Sequence, residues 1–428
     1  MDNIIALLQD RGLIEALTAQ ELQELAKKPL KLYCGFDPTG DSLHLGHLVG
    51  VVVLSWFKRY GHQPVALVGG ATGMIGDPSG KSAERNLLTR EALSHNVASL
   101  ERQLNGLLNR DTTDKLPMKN NYDWFSKFSL LEFLREVGKH FRLGVMLSKE
   151  MVRTRLQNEE GMSFTEFSYQ LLQGYDFYHL YKEDKVTLQI GGSDQWGNIT
   201  AGTDLIKKLT GEQAYGLTFP LLTKSDGTKF GKSEKGAVWL SADKLSPYDF
   251  YQYLYRVHDD DVVKLLRMLT FLPMEQIREL GKKLNDGSCL PNELQKILAE
   301  EVTRFVHGDE GVELARNLTN SLSPGKETTL SRATFEAIAN EMPTLELAPE
   351  EVIDRKLLDI CIKAKLFESK GDAKRMVRNG GLYLNNKKIT DENSIITHQD
   401  VVEGLYLLIA AGKKNKIILK INQHLLRD

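Results

Sequence analysis

The sequence predicts an α/β chain: a parallel-sheet domain of the doubly wound, Rossmann-like type, then a helical segment, then a small basic α+β unit. Three observations carry this. Apolar strand-like runs alternate with a helical run in "LKLYCGFD" (30–37), "LHLGHLVGVVVLSWFKRYG" (43–61) and "QPVALVGG" (63–70), and "KVTLQIGGSDQWGN" (185–198) repeats the strand-then-turn pattern later. Helical periodicity is strong from Ser246 to about Asn320, as in "DFYQYLYRVHDDDVVKLLRML". Charge is uneven: Val352 to Asp428 holds 15 Lys and Arg against 9 Asp and Glu, a net of +6, while the rest holds 40 against 48, a net of −8.

Taken in order, an amphipathic N-terminal helix precedes the first strand, and Gly61 ends the helix that follows it. Residues 86–184 read as mostly helical material inserted between the halves of the sheet. "FPLLTKSDGTKFGKSEKGAVWL" (219–240) carries an Asp226-Gly227 turn and leads out of the sheet domain. "SLSPGKETTLS" and "PTLELAPEE" break the helical pattern and read as a linker. The expected boundaries are 1–225 for the sheet domain, 226–322 for the helical one, 323–351 for the linker and 352–428 for the basic unit.

With 428 residues, 41% hydrophobic and 26% charged, the chain suits two or three cores. No apolar run approaches the roughly 20 residues of a membrane span, and the acidic start "MDNIIALLQDRG" lacks a basic leader, which predicts a cytoplasmic protein without a membrane. Cys34, Cys289 and Cys361 lie far apart and form no CxxC pair, so neither a disulfide framework nor a structural zinc is expected.

His44 and His47 lie three apart at the start of a helix. They read as metal ligands, as a capped helix start, or as donors to an anion. A zinc site needs a third ligand, and "HLGH" lacks the glutamate and four-residue spacing of a metalloprotease helix. Their position after the first strand, where unpaired N–H groups and the helix dipole favour an anion, points instead to a nucleotide, with Gly46 clearing a side chain where a flat ligand can press. "GDPSGKS" (76–82) and "GTKFGKS" (227–233) each put three residues between their glycines where a P-loop needs four, and "GGATGMIG" (69–76) is not the dinucleotide pattern. Tyr169, Gln173 and Asp176 fall at i, i+4, i+7, a polar line on one face of an otherwise apolar helix.

"HLGH" resembles the HIGH signature and "KFGKS" (229–233) the KMSKS loop of class I aminoacyl-tRNA synthetases, with Phe230-Gly231 replacing the usual Met-Ser. "LYCGFDPT", "ALVGGATGMIGDPSGK", "NNYDWF", "SFTEFSYQLLQGYDF" and "QIGGSDQWGNI" resemble the bacterial-type tyrosyl-tRNA synthetases, and the similarity covers nearly the whole chain. The resemblance implies a reaction of tyrosine with ATP to tyrosyl-adenylate and pyrophosphate, then transfer to the 3′ end of tRNA(Tyr). It places Asp77, Tyr169 and Gln173 at the substrate ammonium, Tyr33 and Asp176 at the phenol, and Gln189 and Gln195 in the polar wall. Thr39, His44 and His47 would line the ATP phosphates. Lys81, Arg85, Lys229 and Lys232 would hold pyrophosphate from loops, one of which closes during reaction. Gly35, Asp37, Gly46, Gly192, Asp194, Phe230, Gly231 and Ser233 complete the nucleotide site. Cys34 reads as a sugar contact or as a small buried thiol. Mg2+ would accompany ATP, with no protein-held metal.

The C-terminal "RKLLDICIKAKLFESKGDAKRMVRNGGLYLNNKKI" resembles a small RNA-binding domain first named in a ribosomal protein. Lys370, Lys374 and Arg378, with Arg375 adjacent, form a basic helix edge that is either a solvated face or a phosphate contact; the net positive charge favours the latter, with the variable arm of tRNA as the implied target. Lys207 and Lys208 would meet the acceptor end, and a homodimer is implied. Two rivals remain, a non-catalytic RNA-binding protein on a synthetase-like body and a class I synthetase for tryptophan. The intact histidines and lysines oppose the first, and the full motif set with Asp176 and Tyr33 opposes the second.

Overall fold

The computed structural model describes residues 3–80, 87–110, 115–157, 161–233, 236–325, 330–339, 342–412 and 415–422. The chain divides into two compact units, Met1–Leu245 with Tyr253–Val306, and Ser246–Gln252 with His307–Asp428.

The first unit is built on six strands, β1 (Ala16–Leu17), β2 (Lys31–Phe36), β3 (Gln63–Val68), β4 (Met118–Asn120), β5 (Leu188–Gly192) and β6 (Tyr215–Phe219), in the order β1-β6-β5-β2-β3-β4. All neighbours are parallel except β1 and β6. Parallel pairs need crossovers, and the helices supply them: α1 (Ile4–Asp10), α2 (Leu22–Leu25), α3 (Leu45–Arg59), α4 (Arg90–Leu108), α5 (Tyr122–Phe125), α6 (Leu130–Glu136), α7 (Leu143–Ser148), α8 (Glu150–Leu156), α9 (Phe164–Asp184) and α10 (Trp196–Thr210). After β2 the chain moves outward to β3, and only later returns to β5 on β2's other side. This reversal opens a crevice at the carboxyl ends of β2 and β5.

The sheet has two apolar faces. On one, Tyr33, Val65 and Leu67 pack with Phe177 and Leu180 of α9 and Ile206 of α10. On the other, α3 lies so close that a Cβ on Gly50 would stand 3.4 Å from Cys34 Sγ and from the Phe219 ring. Beyond the sheet come the hairpin β7 (Lys232–Ser233) and β8 (Gly236–Ala237), then α11 (Pro247–Tyr255), α12 (Asp259–Leu269), α13 (Met274–Asn285) and α14 (Glu293–Ser321). Buried Arg11 ties the N-terminal segment to α12: its guanidinium donates to the carbonyls of Arg267 at 2.9 Å, Thr270 at 3.0 Å and Leu272, and stacks 4.2 Å from the Trp56 ring centroid. A cation at a helix C-terminus satisfies carbonyls the helix itself cannot.

In the second unit α14 bends at Gly308, whose φ of 76° is outside helical space. After α15 (Arg332–Ile338) come β9 (Thr344–Leu347), α16 (Leu357–Lys363), α17 (Lys370–Arg378), β10 (Leu382–Leu384), β11 (Lys387–Lys388), β12 (Tyr406–Ala411) and β13 (Asn415–Ile421), in a sheet ordered β11-β10-β12-β13-β9. Its faces bury two cores, one with α16 and α17, the other with Leu318, Phe335, Tyr406, Leu408 and Ile418. This corrects the expected linker at 323–351, which holds α15 and a strand parallel to β13. The prolines that suggested a break flank an edge strand, a place where a missing N–H costs no ladder bond.

Candidate active site

Tyr33 on β2 and Gln189 on β5 are register partners, so both side chains leave the sheet on the crevice face. The Tyr33 ring packs 5.5 Å from that of Phe177, one helical turn beyond Gln173 on α9. The Tyr33 hydroxyl, Gln189 Oε1 and Gln173 Oε1 are all buried with no protein hydrogen-bond partner. Buried polar atoms are normally paired, so three of them on β2, β5 and α9 mark a space shaped for a ligand that supplies partners.

Asp176 forms the pocket's acidic wall. It is 2% exposed, and its Oδ1 accepts from Trp124 Nε1 at 2.9 Å while Oδ2 accepts from Asn121 Nδ2 at 3.1 Å. Burial pushes its pKa well above the ordinary carboxylate value, against the pull of those two donors. Burial also raises the Tyr33 phenol, with nearby Asp176 adding to the effect. The bonds continue from Asn121 Nδ2 to Thr72 Oγ1 at 3.0 Å, from Thr72 Oγ1 to Asp37 Oδ1 at 2.7 Å, and from the Tyr169 hydroxyl to Asp37 Oδ2 at 2.7 Å. Gly69 leaves room for this chain, since a Cβ there would fall 2.0 Å from Asp37 Oδ1. Sequence reasoning missed Thr72, Asn121 and Trp124 as site residues; the signals were the motifs that hold them, "ALVGGATGMIGDPSGK" for Thr72 and "NNYDWF" for the other two. Asp77 sits on a neighbouring polar patch, accepting from Gln195 Nε2 at 2.7 Å, the Ser79 N–H at 2.9 Å and Asn198 Nδ2 at 3.5 Å.

At the carboxyl end of β2, Gly35 is exposed and a Cβ on it would meet nothing within 4 Å, so that strand edge is open to a flat ligand. Cys34 points the other way, 3% exposed against α3, and burial lifts its pKa to about 12. Thr39 is exposed beyond the strand. The two histidines cap α3 reciprocally: His44 Nδ1 accepts the Gly46 N–H at 3.1 Å, and the His44 N–H donates to His47 Nδ1 at 3.2 Å. Their rings stack with centroids 3.7 Å apart. An Nδ1 that accepts leaves the proton of a neutral imidazole on Nε2, so both rings are set up as Nε2–H donors. Gly46 has a local reason as well, because a Cβ there would come 3.0 Å from the His44 ring.

The KFGKS segment reaches this helix start. A Cβ on Gly231, at φ 93°, would lie 3.4 Å from Leu45 Cβ, and Val238 N–H donates to the Gly231 carbonyl at 2.9 Å. Phe230 is buried while Lys229 and Lys232 are exposed, and Ser233 closes β7. Exposed Asp194 stands at the rim of the crevice, where a Cβ on Gly192 would come 2.6 Å from its Oδ1. Lys81 and Arg85 lie outside the described residues. Among the described residues, no group of three or more His, Cys, Asp or Glu is arranged to hold a metal, and no helix is long and apolar enough to cross a membrane.

The basic residues are less free than the sequence suggested. Lys370 pairs with Asp359 at 2.5 Å, Lys374 with Glu392 at 3.6 Å, Arg375 with Asp372 at 2.5 Å and Arg378 with Glu392 at 2.6 Å. Lys207 and Lys208 end α10, and Lys208 Nζ donates to the His140 carbonyl at 2.9 Å.

A parallel sheet with a histidine-capped helix and a lysine loop at its carboxyl edge is the class I synthetase arrangement, and the family described as "tRNA synthetases class I (W and Y)" matches residues 25–323. A second, "Tyrosine--tRNA ligase SYY-like C-terminal domain", matches 334–419. The tyrosine-tRNA ligase of Protochlamydia amoebophila is 54% identical over 98% of this chain and 99% of its own, and the chloroplastic/mitochondrial one of Arabidopsis thaliana is 50% identical over 98% and 84%. Among solved structures, a C-terminally truncated mitochondrial tyrosyl-tRNA synthetase of Aspergillus nidulans superposes with a TM-score of 0.65 at 31% identity, covering 74% of this chain and 92% of that one. The chain belongs to the class I tyrosyl-tRNA synthetases, the tyrosine-tRNA ligases.

Proposed function

We propose that this tyrosine-tRNA ligase holds its amino acid in the crevice between β2 and β5, phenol inward. The buried, unpartnered Tyr33 hydroxyl beside Asp176 carries this reading. A phenol O–H donates to Asp176 and accepts from Tyr33; phenylalanine would leave the Tyr33 hydroxyl without a partner, and the site rejects it for that reason. Asp77, Tyr169 and Gln173 face the ammonium group, with Gln189 and Gln195 completing the wall.

ATP lies across the opening, its adenosine over Gly35 and Gly46, its ribose by Gly192 and Asp194, and its phosphates at the start of α3. The tyrosine carboxylate attacks the α-phosphorus, the bond to the β-phosphate breaks, and pyrophosphate leaves. No general base is needed, because the nucleophile is already an anion. Catalysis is then charge placement on a phosphate that gains negative character. The Nε2–H groups of His44 and His47, with Thr39, serve that phosphate; Lys81, Arg85, Lys229 and Lys232 hold the leaving pyrophosphate. A tRNA ribose hydroxyl next attacks the tyrosyl carbonyl and AMP departs. Mg2+ enters as part of the ATP substrate.

The C-terminal sheet unit meets tRNA. The α17 ion pairs are exposed and therefore weak, so their cations can exchange carboxylates for phosphates at little cost. Lys207 and Lys208 meet the acceptor end. Leu130, Leu131, Leu143 and Phe164 expose 73%, 78%, 61% and 78% of their surface on α6, α7 and α9, an apolar face that a second copy of the chain covers in a homodimer. The setting is cytoplasmic, where ATP and tRNA occur. ATP–pyrophosphate exchange with tyrosine, phenylalanine and tryptophan offered separately tests the reading: exchange with tyrosine alone is expected, and exchange with tryptophan would overturn the pocket assignment.

A further inference from the structure

Residues 222–230 form a small hairpin before the KFGKS lysines. Thr223 and Lys229 are bridge partners, the Phe230 N–H donates to the Leu222 carbonyl at 2.9 Å, and Asp226-Gly227 makes the turn. So short a hairpin, with Leu221 and Ser225 through Lys229 exposed, is not stable by itself. What holds it comes from α11 and α12.

The first arm is gripped by α12. Lys264 Nζ donates to the Thr223 carbonyl at 2.9 Å and to its Oγ1 at 3.2 Å, and the Ser225 N–H donates to Asp261 Oδ1 at 2.7 Å, with Asp261 only 5% exposed. The second arm is gripped by α11. The Gly231 N–H donates to the Tyr253 hydroxyl at 3.0 Å, and the Phe230 ring packs 5.3 Å from the Tyr253 ring. Gly231 lies between Lys229 and Lys232, so this one bond fixes the backbone from which both ammonium groups project. Its φ of 93° suits glycine alone, which lets the N–H turn toward Tyr253.

We propose that Tyr253, Asp261 and Lys264 are positioning residues that hold both arms of the 222–233 segment and so present Lys229 and Lys232 to the phosphates. The proposal rests on the phosphate role given to those two lysines. None of the three need touch a substrate. Their effect is on the rate of the chemical step, because the interaction they support is made with the developing pyrophosphate and not with bound tyrosine.

The test uses the full chain with Tyr253→Phe, Asp261→Ala, Asp261→Asn and Lys264→Met, beside Lys229→Ala and Lys232→Ala. Two quantities are read: amide hydrogen exchange at Ser225 and Gly231, and the single-turnover rate of adenylate formation with the KM for tyrosine. Tyr253→Phe is expected to speed exchange at Gly231 and slow adenylate formation about three- to tenfold, the value of one hydrogen bond, with KM unchanged. Asp261→Asn keeps an oxygen acceptor for Ser225 and is expected to retain the protection and rate that Asp261→Ala loses. Unchanged exchange in Tyr253→Phe would overturn the clamp. Faster exchange with an unchanged rate, while the lysine variants are slow, would overturn its positioning role. A KM that rises in step with the lost rate would do the same. Full rate in both lysine variants would place the failure in the phosphate role of the loop, and the clamp would then be judged by exchange alone.

Discussion

Tyr33→Phe separates stability from binding. The hydroxyl is buried and no protein group bonds it, so its removal breaks no hydrogen bond within the fold, and the unit that carries Tyr33 should be no less stable when empty. Bound tyrosine loses one hydrogen bond of about 0.5–1.5 kcal/mol, which weakens its binding about two- to twelvefold. Phenylalanine has no hydroxyl to lose, so discrimination against it should fall by the same factor. Urea unfolding without ligand reads the first effect, and equilibrium dialysis with each amino acid reads the second. A variant that is less stable when empty, or that loses tyrosine and phenylalanine equally, would mean that the Tyr33 hydroxyl does not face the phenol.

His44→Ala should slow adenylate formation tenfold or more in single turnovers while tyrosine binding stays within twofold, and should cost about 1 kcal/mol of stability through the lost cap on α3. His44→Asn restores a capping side chain, so it should recover the stability and not the rate; a recovered rate would reduce the histidine to a structural cap. A chain ended after Ser321 lacks the whole β9–β13 sheet. It should keep pyrophosphate exchange and lose tRNA charging, with normal charging as the contrary result.

The parts of the fold legible in the sequence were those with long periodic runs: β2, α3, β3 and β5 stand where the alternation of apolar strands and helices placed them. β4 was not legible, because Met118–Asn120 is three half-buried residues whose strand character comes from pairing with β3. β9 was hidden by its flanking prolines, and its partner β13 lies some 70 residues on. In the site, Tyr169 and Asp176 announced themselves as polar residues on an apolar helix. The residues that hold Asp176 did not, since Asn121 and Trp124 are 55 and 52 positions away and only the folded chain brings them together. The basic edge of α17 was visible, but its neutralising acids were not, because Asp359 and Glu392 come from other segments. A capped helix start was among the readings of His44 and His47, but not that the two rings cap reciprocally, His44 Nδ1 taking the Gly46 N–H and His47 Nδ1 the His44 N–H.

In the proposed pocket Asp176 sits at the bottom, where the phenol ends, and Asp176→Ala is the decisive substitution. The substitution removes a buried acceptor for the phenol and strands the Trp124 and Asn121 donors in the pocket wall, so tyrosine affinity should fall about ten- to hundredfold. ATP affinity, measured in the same preparation, should stay within twofold. Equal loss of both ligands would mean that the change had disturbed the domain at large, and unchanged tyrosine binding would remove Asp176 from the pocket.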